Sequence, residues 1–298
     1  MSTTYATIQR PDGRIVAYSD SGPQDGIPVL LCHGLPGARN QIPNTAILDL
    51  HKVRLIIIDR PGFGMSTPDP ACSVTHWRHD ALAVLDTLGV AQCVLLPYSA
   101  GTPYALALAS LAPERVIRIH VMSGVIPAEA RDLQNMSAFN RWLHSLGNNM
   151  PKFWLKPLVG MLNLVIGIGA KAGKFGIWLM RGTFTAAENS YVAAPEGVSF
   201  RDMLTESFRQ GFLNYFTEFA IVGAPWGVDF TKITHPVSCW YGDSDYITPA
   251  SAAQRLQQIL PQTTVRIWPG AGHLLIFMHW DELIASLATK VEPCNVGY

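Results

Sequence analysis

The segment Val94-Leu95-Leu96-Pro97-Tyr98-Ser99-Ala100-Gly101-Thr102-Pro103-Tyr104-Ala105 sets a serine where an apolar, β-type run turns abruptly into a helical one. Pro103 falls in the first helical turn, where its missing N–H costs little. A hydroxyl at such a bend projects from the backbone. An oxyanion formed beside it would face a helix N-terminus, whose free N–H groups and dipole favour negative charge. Ser99 is therefore a candidate acyl-accepting nucleophile, and equally a helix-capping serine if nothing activates it. Activation requires an imidazole able to take the hydroxyl proton and return it to a leaving group. Of nine histidines, His273 alone lies on a glycine-rich turn near the C-terminus, Trp268-Pro269-Gly270-Ala271-Gly272-His273-Leu274. A carboxylate must hold that imidazole in the right tautomer. Asp243 and Asp245, in Tyr241-Gly242-Asp243-Ser244-Asp245-Tyr246-Ile247-Thr248-Pro249, are both candidates.

These residues need a scaffold that gathers loops from distant parts of the chain. Short apolar, β-branched runs alternate with longer helical patterns, the signature of a largely parallel α/β sheet. Candidate strands are Arg14 to Ser19, Val29 to Cys32, Arg54 to Ile58, Cys93 to Leu96, Val116 to Met122, Val237 to Tyr241 and Val265 to Trp268. Helical patterns cover Trp77 to Leu88, Ala100 to Leu111, Ser251 to Ile259 and Trp280 to Lys290. Leu55 to Ile58 and Val94 to Leu96 are unbroken apolar runs, as strands covered on both faces should be. The alternation stops between about Ile126 and Pro236, where Met203, Leu204, Phe208, Phe212, Tyr215, Phe216 and Phe219 follow one helical stripe. A helical insertion over the strands' carboxyl edge is expected, where open α/β sheets bind ligands.

The turn at Ser99 resembles the Gly-x-Ser-x-Gly nucleophile elbow of the α/β-hydrolase family, with Pro97 in place of the first glycine. Leu31-Cys32-His33-Gly34-Leu35-Pro36-Gly37 resembles the family's His-Gly turn, which implies that the N–H groups of Leu35 and Ala100 form an oxyanion hole. Asp59-Arg60-Pro61-Gly62-Phe63-Gly64-Met65-Ser66 is similar to the segment after the next strand in capped members, and is expected to be a structural turn with Asp59 and Arg60 ion-paired. The family's Gly-x-x-Asp pattern, with a proline four residues on, selects Asp245 over Asp243. The order Ser99, Asp245, His273 is the family order of triad residues. His33, Gly34, Tyr98, Trp226 and Leu274 flank these motifs and are expected to contact substrate. The resemblance covers nearly the whole chain and is weakest from Pro127 to Pro195. It implies an α/β-hydrolase fold, with a mostly parallel central sheet flanked by helices and a helical cap inserted before the penultimate core strand. The expected division is a core of residues 1–125 and 236–298 around a cap at 126–235.

Bulk composition narrows the function further. The 298 residues are 48% hydrophobic and 15% charged, with 22 basic and 22 acidic side chains. A net charge of zero gives no electrostatic reason to expect nucleic acid or an anionic membrane as partner. The five cysteines are scattered without a Cys-x-x-Cys pair, so reduced thiols and a cytoplasmic location are expected. Met1 to Gln9 lacks the apolar core of a signal peptide, and Cys294 does not fit a prenylation box. Within Phe153 to Met180 the uncharged run Pro157 to Ala170 falls short of the roughly 20 residues a membrane span needs. Gly167 to Lys174 fails as a phosphate loop, because Phe175 stands where Ser or Thr is required. Gly169 and Gly173 would instead let two helices approach closely. His76 and His79 share a helical face without a third ligand, so no metal is expected, nor any cofactor. The expected activity is cleavage of a carboxylic ester of a small apolar molecule, and a homodimer is compatible with the sequence. Haloalkane dehalogenases and epoxide hydrolases share the His-Gly-x-Pro turn but use an aspartate nucleophile, which Ser99 argues against. The alternative is a member that keeps the pocket without hydrolysis, as a biosynthetic cyclase or lyase or as a ligand receptor.

Overall fold

Successive side chains of a strand point to opposite faces, so a fully buried strand must feed two cores at once. The computed structural model, which describes residues 4–126, 157, 160–161 and 163–288, shows this at its centre. Strand β1 (Thr4–Gln9) precedes β2 (Ile15–Ser21) and β3 (Ile27–Cys32). Then come α1 (Ala46–His51), β4 (Val53–Ile58), α2 (Arg78–Thr87) and β5 (Cys93–Pro97). Helix α3 (Thr102–Leu111) leads to β6 (Val116–Met122). Leu30, Ile56 and Leu95 enter one buried cluster with Trp77, Tyr104 and Leu108. Their neighbours Leu31, Leu55, Ile57, Val94 and Leu96 enter the other.

Helices α4 (Ala170–Met180), α5 (Ala186–Ala193), α6 (Val198–Ser207) and α7 (Leu213–Gly223) follow, with no strand among the described residues between β6 and β7 (Val237–Gly242). Helix α8 (Ser251–Ile259), β8 (Thr263–Trp268), α9 (Leu275–Met278) and α10 (Trp280–Ala288) complete the order. The eight strands form one sheet, β1-β2-β4-β3-β5-β6-β7-β8. Strands β3 to β8 run parallel, while β1–β2 and β2–β4 are antiparallel. The chain thus has the expected mostly parallel α/β architecture, with helices between the parallel strands. Strand β1 and the short helices α1 and α9 are unforeseen in the sequence: β1, an edge strand, largely exposed, carries no continuous apolar run, and the two helices span only one or two turns.

The expected helical stripe from Met203 to Phe219 is split in two. Gly211 adopts φ +83°, and the Phe212 N–H donates to Asn163 Oδ1 at 3.1 Å, so α6 stops and α7 starts on a new axis. Gly173 allows a close helix crossing, since a Cβ there would sit 3.1 Å from Thr205 N. Gly169 does not: at φ +60° it precedes α4 with open space around it. Cys32, Cys93 and Cys239 are free and buried, as thiols packed like small hydrophobes should be, and burial pushes Cys93 up to about 12. Cys294, Lys290 and the segment 127–156 lie outside the described residues. No helix among the described residues is long and apolar enough to cross a membrane.

His120 on β6 is buried against Ser238 on β7, at 2.7 Å from its Oγ. Burial, aided by the Arg118 charge, lowers its pKa from 6.5 to about 3. The unfolded chain therefore takes up this proton first, and the stabilisation is complete above pH 6.5 and lost as pH falls toward 3. At pH 5 the loss from this one group amounts to about 2 kcal/mol relative to pH 7. Urea unfolding of His120→Gln at both pH values is expected to show a correspondingly smaller drop than the parent. An equal drop would contradict this account.

Candidate active site

At the carboxyl end of β5 the backbone must turn sharply, and Ser99 does so at φ +51°. Such a conformation costs a non-glycine residue about 1–3 kcal/mol. It is held by the Tyr98 N–H to Cys32 O (3.0 Å) and by the Val125 N–H to Ser99 O (3.1 Å). Gly101 is obligatory, because a Cβ there would lie 1.9 Å from Cys32 O. Pro97 fits the elbow as the last residue of β5, opposite Cys32, and Tyr98 supplies the next ladder donor.

The loop after β8 carries His273 back toward this turn. Gly242 at the end of β7 lets it approach, since a Cβ there would meet Ala271 O at 2.0 Å. Asp243 accepts the Gly270 N–H at 2.8 Å, which identifies it as a turn carboxylate. His273 Nε2 lies 3.0 Å from Ser99 Oγ, and His273 Nδ1 lies 2.9 Å from Asp245 Oδ2. Asp245 Oδ1 accepts the N–H groups of Ile247 and Thr248, each at 2.8 Å. Its carboxylate is therefore oriented by its own loop before it meets the imidazole. The Thr248 hydroxyl, 2.8 Å from Asp245 Oδ2 and 2.9 Å from Ser123 O, adds a contact that sequence reasoning did not single out. Ser99, Asp245 and His273 are each only 4% exposed, so charge developing among them would be weakly screened.

Gly34 lies against the elbow: a Cβ there would be 2.9 Å from Tyr98 Cδ1 and 3.4 Å from Ser99 Cβ. Gly34, the residue before Leu35, thus approaches Ser99 from a second chain segment. Tyr98 packs beside the His273 ring at 5.3 Å between centroids, and its hydroxyl donates to His273 O at 3.1 Å. Burial, with the charges of Asp245 and Glu188, raises the Tyr98 pKa well above that of a free phenol, so it remains a neutral donor. Leu274 joins the same apolar cluster, with Phe200, Met203 and Phe277.

Two of the residues expected to contact substrate, His33 and Trp226, are packed into the interior. His33 is fully buried, with Nδ1 2.9 Å from Gly34 O and Nε2 accepting the Arg60 N–H at 3.2 Å. Burial and the Arg60 charge hold it neutral, and its two ring contacts brace the turn. Trp226 packs in the opposite cluster with Trp77 and Tyr104, and its indole donates to Val222 O. The expected Asp59–Arg60 pair is also corrected. Asp59 pairs with Arg39 at 2.6 Å, and Arg60 with Glu218 at 2.6 Å. Neighbours in sequence diverge here because the turn sends their side chains to different partners. Among the described residues no group of His, Cys, Asp or Glu could hold a metal ion.

Comparison with known proteins matches residues 27–279 to the family described as alpha/beta hydrolase fold. A non-heme chloroperoxidase of Streptomyces lividans is 25% identical over 96% of this chain and 99% of its own length. A haloalkane dehalogenase of Psychrobacter cryohalolentis is 27% identical over 83% of this chain and 77% of its own. Among solved structures, a bromoperoxidase from Bacillus anthracis superposes with a TM-score of 0.68 at 21% identity, covering 95% of this chain and 98% of that one.

Proposed function

Because this chain belongs to the α/β-hydrolase fold family, we propose that it is a serine hydrolase cleaving a carboxylic ester of a small apolar molecule through an acyl-enzyme. The observation that carries this reading is the continuous line from Ser99 Oγ through both ring nitrogens of His273 to Asp245 Oδ2. Ser99 Oγ attacks the acyl carbon while its proton passes to His273 Nε2. The Leu35 and Ala100 N–H groups hold the oxyanion, each donor contributing about 3 kcal/mol at the transition state. As the C–O bond breaks, His273 Nε2 returns the proton to the leaving alcohol. A water then deprotonated by His273 attacks the acyl carbon, and Ser99 Oγ departs with that proton. Asp245 keeps the Nδ1–H tautomer throughout.

Residues 126–235 act in this proposal as a cap over the carboxyl edge of the sheet. The reading is supported by Phe200, Met203, Leu204 and Phe208 of the inserted segment sharing one apolar cluster with Tyr98 and Leu274. That same cluster favours an apolar acyl or alcohol group. A serine at the elbow argues against the aspartate-nucleophile chemistry expected of haloalkane dehalogenases.

A fluorophosphonate probe and a panel of nitrophenyl esters of graded acyl length test the proposal. Labelling at Ser99 with turnover of at least one ester is expected. Absence of both would overturn it. Labelling without turnover of any ester would replace hydrolysis by elimination, cyclisation or ligand binding in the same pocket.

A further inference from the structure

Glu188 is a fully buried carboxylate on α5 for which the proposed chemistry has no use. Part of its role is local. With Thr185 it forms a capping box, Oε2 accepting the Thr185 N–H at 2.7 Å while Thr185 Oγ1 accepts the Glu188 N–H at 3.2 Å. Capping occupies only one carboxylate oxygen. The other, Oε1, accepts the N–H of Leu274, 86 residues away and directly after His273. The carbonyl of that same His273–Leu274 peptide accepts the Tyr98 hydroxyl at 3.1 Å. Both polar atoms of one peptide plane are therefore pinned, and that plane sets the direction in which His273 leaves the backbone. The preceding residue makes room: a Cβ on Gly272 would lie 2.1 Å from Glu188 Oε2 and 2.5 Å from Oε1.

We propose that Glu188 is a positioning residue for His273, holding the imidazole between Ser99 and Asp245 by accepting the Leu274 N–H. The inserted helices then complete the catalytic loop as well as covering it. The claim rests on His273 being the proton acceptor of the proposed hydrolase, and its test separates the two.

Four variants are compared with the parent protein in fluorophosphonate labelling rate per folded molecule and in the downfield proton resonance of His273 Nδ1–H. Glu188→Ala is expected to slow labelling by roughly 10- to 100-fold, the scale of a displacement of about 1 Å at a reacting group, and to shift the resonance. Glu188→Gln keeps an oxygen for Leu274 but turns its amide on the Thr185 N–H. It should label within about threefold of the parent, as should Thr185→Ala, which also weakens the cap alone. Gly272→Ala should mimic Glu188→Ala, and the double variant Glu188→Ala/Gly272→Ala should be no slower than Glu188→Ala, because the two act on one contact. An unchanged rate and resonance in Glu188→Ala would overturn the proposal. So would Gln or Thr185→Ala variants as impaired as Glu188→Ala, since capping would then explain everything. If Glu188→Ala does not fold, Glu188→Gln and Gly272→Ala still decide. A parent protein that ignores the probe would sink the hydrolytic reading instead, while the imidazole resonance would still report whether Glu188 positions His273.

Discussion

His273→Ala is expected to lower kcat/KM for any ester the protein turns over by about 10⁵-fold or more, with KM nearly unchanged. The serine hydroxyl is neutral at ordinary pH, and the imidazole 3.0 Å away is what receives its proton in the transition state. Neither contact is needed to bind the ester in its ground state, so the loss falls on kcat. Ser99→Ala should be impaired to the same degree, and the double variant hardly more, because both residues serve one step. Fold should be retained in His273→Ala, since the neighbouring loop is held by Asp243, Tyr98 and Glu188 independently of the ring. Steady-state kinetics with far-UV circular dichroism would check this. Losses that multiplied in the double variant would mean that Ser99 and His273 do not act together.

Arg60→Met is expected to destabilise the protein by about 3–5 kcal/mol, the cost of stranding a buried charge. Arg60 and Glu218 are 1% and 2% exposed and lie 2.6 Å apart. The guanidinium also donates to the carbonyls of His33 and Gly34 and lies 4.8 Å from the Tyr104 ring centroid. It thereby ties α7 to the turn that presents Leu35. Removing the cation leaves the buried Glu218 carboxylate without its ion-pair partner. The double variant Arg60→Met/Glu218→Met removes both charges and should recover most of the loss. Urea unfolding of the three variants measures the coupling. A double variant as unstable as Arg60→Met would show that the carbonyl contacts of Arg60, and not its ion pair, dominate. The double variant should still show reduced kcat, because the His33 and Gly34 carbonyls have lost the guanidinium, leaving Gly34 O with the His33 ring N–H alone.

Much of the site could be read from residue order because its parts are local. Ser99 sits on a turn dictated by the apolar run before it and the helical pattern after it, and His273 and Asp245 each follow a strand on loops of characteristic composition. Strand β1 escaped because a solvent-facing edge needs no apolar run. The division of the Met203–Phe219 stripe escaped because periodicity alone does not mark the left-handed turn at Gly211. The core that Trp226 enters was not legible, because aromatic type does not say which of two cores a side chain joins.

What the sequence determined by itself is therefore the set of strand-to-loop transitions and the chemical types delivered there: a hydroxyl, an imidazole, a carboxylate and two glycine-bearing turns. Backbone sterics and side-chain periodicity act over a few residues, so they are written along the chain. Pairing was decided only by the tertiary structure. With 22 basic and 22 acidic side chains, charge sign does not select a partner, and Asp59 turned from its neighbour Arg60 to Arg39, leaving Arg60 to Glu218. The second oxygen of Glu188 found the Leu274 N–H for the same reason. Electrostatic and hydrogen-bond partners depend on which segments the packed cores bring within about 3 Å of each other, and that distance exists only once the chain has folded.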